Sequence, residues 1–209
     1  MKLYVLPGAC SFVPHTALEW ANADYELQIM DHDSIKSEAY LKINPQGSVP
    51  ALVDGDTVVT QNIAVQTYIN ARYPKAHIFG NYATPAEQAQ ILHWLAFLNS
   101  DAHKGFAPLF APEGFVSDES AQQDLVAKAK DKLVKLFKLP NEQLATNDYL
   151  VGSKSTADLY LYVILRWSKN FKLDLSQYSN FNAFIERIEA DAGVTKALQQ
   201  EGLEKIGSL

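Results

Sequence analysis

The only sulfhydryl in this 209-residue chain is Cys10, set in "LPGACSFVPHT" where a short apolar run stops and a helical pattern begins. A lone cysteine at such a place has two readings. It can be packing material, because free cysteine is among the most buried residue types. It can also be a reagent, because backbone N–H groups and the positive end of a helix favour the thiolate. In "CSFV", serine and valine stand where a dithiol site needs its second sulfur. Any disulfide made by Cys10 must therefore join another molecule's thiol, and a small thiol co-substrate is the economical inference.

Two further stretches carry candidate binding chemistry. In "NPQGSVPAL", Val49-Pro50 opens a strand directly after a loop, a position where the bond to proline can be cis or trans. A cis bond would turn the Val49 main chain outward to pair with a ligand's backbone. In "VTQNIAVQTYI", Gln61 and Asn62 stand at a helix start, as local caps or as part of a carboxylate-binding helix end. In "NSDAHKGF", His103 approaches the end of a long helix, where it can complement the dipole or face a site. "DHD" at 31–33 holds metal-ligand atom types, but three consecutive loop residues make a poor closed site, and no metal is expected. Neither a glycine-rich phosphate loop nor a G-x-S-x-G or H-E-x-x-H motif occurs.

The elements that must position these residues follow from periodicity. Leu3 to Leu6 suits a strand buried on both faces; Ala17, Leu18 and Ala21 share a helical stripe over Ser11 to Ala23; Tyr25, Leu27 and Ile29 alternate as a strand. That is a βαβ unit, expected to be right-handed and parallel. A short helical piece around Tyr40 to Ile43 follows, and then two runs flanking Asp54-Gly55-Asp56, a hairpin signal. Thr60 is positioned to cap a helix with Ala64, Val65, Tyr68, Ile69 and Arg72 at helical spacing. The first part therefore reads βαβαββα, and it places Cys10, Val49 and the Gln61–Asn62 helix start along one sheet edge.

Beyond "YPKAHIFGNYATP", which reads as a linker, strand signals vanish and helices are predicted over roughly 85–107, 119–146, 156–170, 180–191 and 194–201. The division is an α/β domain over 1–77, a linker at 78–84 and an all-helical domain over 85–209. "STADLYLYVILRW" carries a capping box, with Ser155 three residues before Asp158, and that pair is assigned to folding. His15 is assigned to its own helix.

Composition sets limits. At 47% hydrophobic the chain can bury a sizeable core, and its net charge of −6 argues against a nucleic-acid partner. The lysines between 128 and 138 alternate with Asp124 and Asp131 and read as a solvated helix face. One cysteine leaves stability to packing, as in reducing compartments. No signal segment or membrane span is expected, and cytoplasm is the default.

"GACSFVPHTALEWA", "YLKINPQGSVPALV", "TQNIAVQTYINARYP", "LHWLAFLNSDAHKGFAPLF" and "DLYLYVILRW", in this order, resemble the cytosolic glutathione S-transferases, specifically their bacterial beta class. The cysteine and "HKGF" point to that class. The resemblance implies a thioredoxin-like N-terminal domain, a helical C-terminal domain, a homodimer, and conjugation of glutathione to small hydrophobic electrophiles, with glutathione the co-substrate. It implies catalytic roles for Cys10, Ser11 and His103. Val49, before a cis-Pro50, would pair with the cysteinyl unit of glutathione, and Gln61 and Asn62 would hold its γ-glutamyl carboxylate. Lys36 and Lys104 would meet other parts of glutathione, and Phe106 and Trp167 would line the electrophile pocket. Glutathione-dependent disulfide reduction through a Cys10 mixed disulfide is the rival activity. Non-catalytic binding is a third reading, favoured by Ala96, where many class members have asparagine; Asn99, one turn before His103, could compensate.

Overall fold

The computed structural model describes residues 1–209. Strand β1 (Lys2–Val5), helix α1 (Phe12–Trp20) and strand β2 (Glu26–Ile29) form the expected parallel βαβ unit. A four-residue helix α2 (Glu38–Leu41) leads to β3 (Ala51–Asp54), β4 (Thr57–Thr60) and α3 (Asn62–Arg72). The sheet order is β2-β1-β3-β4, with β3 antiparallel to both neighbours. The pairing Asp54↔Thr57 leaves Gly55 and Asp56 as a two-residue hairpin loop, with Gly55 at φ +59°.

Three local expectations change. Strand β1 is not equally buried on both faces: Leu3 and Val5 lie in the main core, while half-buried Tyr4 packs on Tyr40 on the other side. Thr60 does not cap α3, because it is still paired with Ala51; the chain turns at Gln61, whose φ of +73° precedes the helix without a side-chain cap. The segment after Tyr73 is no free linker, since Ile78 and Phe79 are buried and the Ile78 carbonyl accepts the Thr156 N–H.

The helical half consists of α4 (Pro85–Ala96), α5 (Ala107–Phe110), α6 (Glu119–Leu136), α7 (Lys138–Gln143), α8 (Thr156–Asn170), α9 (Phe181–Glu189) and α10 (Ala192–Gln200). Helix α4 continues into a wider π-type stretch, Phe97–His103, ending before Gly105. The predicted single helix over 85–107 is therefore two pieces with a widened turn between them. Helix α8 is the central column, and twelve of its fifteen residues are buried. Helix α1 is buried from Phe12 through Leu18, with no solvent face, because it is clamped between α3 on one side and α8 and α10 on the other. One apolar core runs through it from the sheet into the helices. This is a thioredoxin-like domain followed by a helical domain.

Candidate active site

A cleft of about 780 Å³ opens where the loop after β1, the loop before β3 and the start of α3 face the π-type stretch that follows α4 and the C-terminal end of α8. It collects Cys10, Lys36, Val49, Pro50, Gln61, Asn62, Asn99, His103, Lys104 and Trp167, ten of the twelve residues expected at a site. Val49-Pro50 is cis. The Val49 N–H makes no protein hydrogen bond, and the Val49 carbonyl lies 3.9 Å from Cys10 Sγ. Lys36 Nζ donates to the Gly47 carbonyl at 2.7 Å and holds the rim of the loop.

Ser11 is excluded from the cleft. It is fully buried, and its hydroxyl accepts the Leu6 N–H at 3.1 Å and donates to the Leu6 carbonyl at 3.3 Å, so it staples the turn that carries Cys10. Phe106 is also fully buried, behind Trp167. Phe110, one turn later and 53% exposed, is the aromatic that reaches the cleft. Both residues share the "GFAPLF" stretch, and only the packing against α8 decides which one faces outward. Ala96 is exposed on α4 and does not line the cleft.

Asn62 is nearly buried and its amide is committed: Nδ2 donates to the Cys10 carbonyl at 2.6 Å, and Oδ1 accepts from Gln66 Nε2. It ties the start of α3 to the start of α1 and leaves backbone N–H groups of α3 facing the cleft. Gln61 Nε2 donates to Gln46 Oε1 at 2.8 Å across the rim. Its left-handed backbone, unfavourable for a residue with a Cβ, is the kind of local strain that persists where surrounding contacts over-determine it.

The expected activation of Cys10 is reversed. The thiol is 8% exposed, and burial pushes it up to about 11, against the smaller opposing pulls of the Asn62 amide, its own backbone N–H and the Lys104 charge. A helix end can favour a thiolate only where water or a counter-charge also reaches it. Cys10 is therefore a neutral S–H at ordinary pH.

His103 is held by Tyr160, a residue of the apolar α8 run that no local motif marks. Its Nδ1 lies 2.8 Å from the Tyr160 hydroxyl, and that hydroxyl donates to Asn99 Oδ1 at 3.0 Å. With the hydroxyl proton spent on Asn99, His103 Nδ1 must be the donor, which leaves Nε2 as an acceptor. Burial, aided by Lys104, lowers the imidazole pKa to about 4, so it is neutral. Burial also raises the Tyr160 hydroxyl, which stays protonated. The π-type stretch brings Asn99 and His103 onto one Tyr160 hydroxyl, and no sequence signal marked that widening.

Two contacts from the helical half fix the loop beneath Cys10. Trp167 Nε1 donates to the Gly8 carbonyl at 2.8 Å, and the Gly8 N–H donates to Glu201 Oε2 at 3.1 Å. Gly8 has φ +75°, which favours glycine. His15 does not serve its own helix: it is fully buried, with its ring nitrogens 2.8 Å from Glu201 Oε1 and 2.9 Å from Gln200 Oε1. Nowhere do three or more His, Cys, Asp or Glu side chains cluster as metal ligands, and no helix is long and apolar enough to cross a membrane.

Comparisons with known proteins agree with this arrangement. Family models described as "Glutathione S-transferase, N-terminal domain" and "Glutathione S-transferase, C-terminal domain" match residues 1–71 and 97–192. Glutathione S-transferase GST-4.5 of Xanthomonas campestris pv. campestris is 40% identical, over 97% of this chain and all of its own. A glutathione S-transferase structure from Xylella fastidiosa superposes with a TM-score of 0.92 at 41% identity, covering 97% of this chain and 99% of that one. A sphingomonad glutathione S-transferase complexed with glutathione and the bacterial beta class enzyme of Sphingomonas chungbukensis both reach a TM-score of 0.85, at 34% and 33% identity, each over 98% of this chain and 100% of its own. With both halves matched in order and the cleft lying where they meet, the chain belongs to the glutathione S-transferase family, in its bacterial beta class.

Proposed function

We propose that this glutathione transferase binds glutathione along the thioredoxin-like side of the cleft, and that the glutathione sulfur, not Cys10, attacks a small hydrophobic electrophile. The free Val49 N–H supports pairing with the cysteinyl backbone of glutathione, and the α3 start at Gln61 and Asn62 supports binding of its γ-glutamyl carboxylate. Lys36 and Lys104 supply positive charge on either side. Binding in this mode brings the thiol to Cys10 and His103. The observation that carries the reading is the place of Cys10, the single thiol, in the cleft wall 3.9 Å from the Val49 carbonyl and almost fully buried: burial favours the S–H, a hydrogen-bond donor that stabilises a glutathione thiolate beside it. The neutral His103 Nε2 is a matching acceptor for the proton that the glutathione thiol gives up. In the reaction a C–S bond forms, the leaving group departs with its electron pair, and the proton passes to solvent.

Disulfide reduction through Cys10 is the secondary activity, supported by the single thiol lining the cleft. The test is retention on immobilised glutathione, then turnover of a chloro-dinitroarene and of a glutathione mixed disulfide. Retention with rapid arene conjugation supports the reading. Disulfide reduction alone reverses the two activities, and retention with no turnover makes the protein a binder.

The proposed organisation keeps the boundary between domains at 78–84, with 1–77 and 85–209 on either side. It also includes a homodimer, for which exposed apolar residues away from the cleft, Val58 and Leu92, supply contact surface, and a reducing cytoplasmic setting in which Cys10 stays free.

A further inference from the structure

We propose that the electrophile half of the cleft selects aryl electrophiles carrying a carboxylate, and that Arg166 is the residue that reads that carboxylate. The inference rests on the transferase reading above and concerns the half of the cleft that glutathione does not fill.

The chain has three arginines. Arg72 and Arg187 each face a carboxylate, Asp54 at 3.6 Å and Asp148 at 2.8 Å. Arg166 faces none within 4.0 Å, yet it is half-buried and lines the cleft. Its Nη1 donates to the Glu204 carbonyl at 2.7 Å and to the Tyr162 hydroxyl at 3.3 Å, while Nε and Nη2 make no hydrogen bond with the protein. The carboxylate of Glu189 lies behind that contact. It is already engaged, accepting from the Tyr162 hydroxyl and the Ile206 N–H.

A guanidinium has five donors in a rigid fork that matches a carboxylate with two parallel bonds. This one is held rather than free. Its Glu204 contact is part of a C-terminal strap in which Lys169 also binds the carbonyls of Ile206 and Ser208, each at 2.6 Å. A donor fixed before binding loses little freedom when the anion arrives.

The neighbouring surface asks for an aromatic ring. Phe110 stands 5.1 Å from Trp167 and 5.0 Å from Phe171, edge to face with both, and leaves its outer side bare in the cleft. A ligand ring laid there completes the cluster. Leu203 closes the wall beside Gly8. A wholly apolar electrophile would cover Phe110 and Leu203 but strip water from Arg166 without replacing it, and that carries a penalty. An aryl carboxylate satisfies both features at once. In the reaction its ring carbon gains the glutathione sulfur and loses halide with the bonding pair, while the carboxylate stays on Arg166 unchanged.

The test compares 4-chloro-3-nitrobenzoate with 4-chloro-3-nitrobenzamide. Each kcat/KM is divided by the uncatalysed rate with glutathione, and the affinity of each compound is also measured by calorimetry with S-methylglutathione bound. The wild-type chain is expected to favour the benzoate about tenfold, as a charge-assisted hydrogen bond implies, and Arg166→Gln to bring the ratio near one. If Arg166→Gln disturbs the strap, Arg166→Lys keeps the charge without the fork and retains part of the preference. Equal binding of the two compounds, binding of neither, or a ratio unchanged by Arg166→Gln overturns the inference. So does a loss of glutathione affinity in Arg166→Gln as large as the loss for the benzoate, since the guanidinium would then belong to glutathione. Failure of the transferase reading shows separately, as absence of 1-chloro-2,4-dinitrobenzene turnover, and the calorimetric comparison still decides the role of Arg166.

Discussion

At Cys10 two electrostatic effects oppose each other. The start of α1 favours the thiolate, while burial favours the thiol, and with the thiol raised to about 11 burial wins. Cys10→Ala is expected to remove disulfide reduction and to lower arene conjugation by about tenfold, the lower end of what a hydrogen bond to a charged group contributes, because an S–H is a weak donor. Full disulfide reductase activity in that variant would refute the role of Cys10 as nucleophile. The neighbouring prediction concerns Tyr160. Tyr160→Phe removes the acceptor for His103 Nδ1–H, so the imidazole is no longer fixed with Nε2 free, and kcat/KM is expected to fall about two- to tenfold with little change in glutathione affinity. His103 gains its proton only as pH falls through about 4, so it stays neutral above pH 5.5 and contributes no inflection near 6.5. An inflection there that vanishes in His103→Asn would contradict the assignment.

Helix α8 shows how far an element can be read before it is seen. The sequence places it at 156–170, and it runs from Thr156 to Asn170, because a polar cap and an apolar run define its start without help from elsewhere. Ser155 and Asp158 form the capping box read from the sequence. Asp158 accepts the Ser155 N–H and hydroxyl and the Leu150 N–H, while its own N–H goes to the Ser155 carbonyl. Asp158→Ala strands those buried donors, and a loss of about 2–4 kcal/mol is expected, measurable by denaturant unfolding. Burial also raises Asp158 to about 7 in the folded chain, from 3.8. The folded state therefore holds this proton more tightly than the unfolded state, and ionisation costs stability as pH rises from about 4 to 7. Relative to Asp158→Asn, the wild-type chain is expected to lose ground over that window and to hold a constant difference above it. Elements set by distant contacts were not legible. Thr60 satisfies every local rule for a cap, but strand pairing claims it. The side chains of the widened stretch Phe97–His103 find their partner some sixty positions away, where Tyr160 bonds both Asn99 and His103. In the same way Val49 and the α3 start could be read from an X–Pro step and a helix start, whereas Phe110 and Arg166 reach the cleft, and Tyr160 lies buried behind His103, only through packing.

On the scale of the whole molecule, the two halves meet at Gly8, the loop residue between the first strand and Cys10. Both of its peptide groups are held from the helical half, by Trp167 and Glu201, and Glu201 also reaches His15 on α1. The loop that carries Cys10 thus belongs to the sheet by sequence and to the helices by contact, so loosening the junction is expected to loosen the proposed glutathione site. Glu201→Ala leaves the Gly8 N–H and His15 without their shared acceptor inside the protein. Breaking such a buried pair costs about 3 kcal/mol, equivalent to roughly 6–12 °C in Tm for a chain of this length. A fall in Tm alone would also follow from a merely structural contact, so the deciding measurement is the response to glutathione. Ligand at a hundred times Kd adds about 2.7 kcal/mol of stability, roughly 5–10 °C here. If Gly8 holds the cleft in its binding form, the same free glutathione raises the Tm of Glu201→Ala by clearly less than it raises that of the wild-type chain, and KM for glutathione rises in parallel. A variant that melts early yet keeps the full glutathione shift would show that the junction supports the fold without shaping the site.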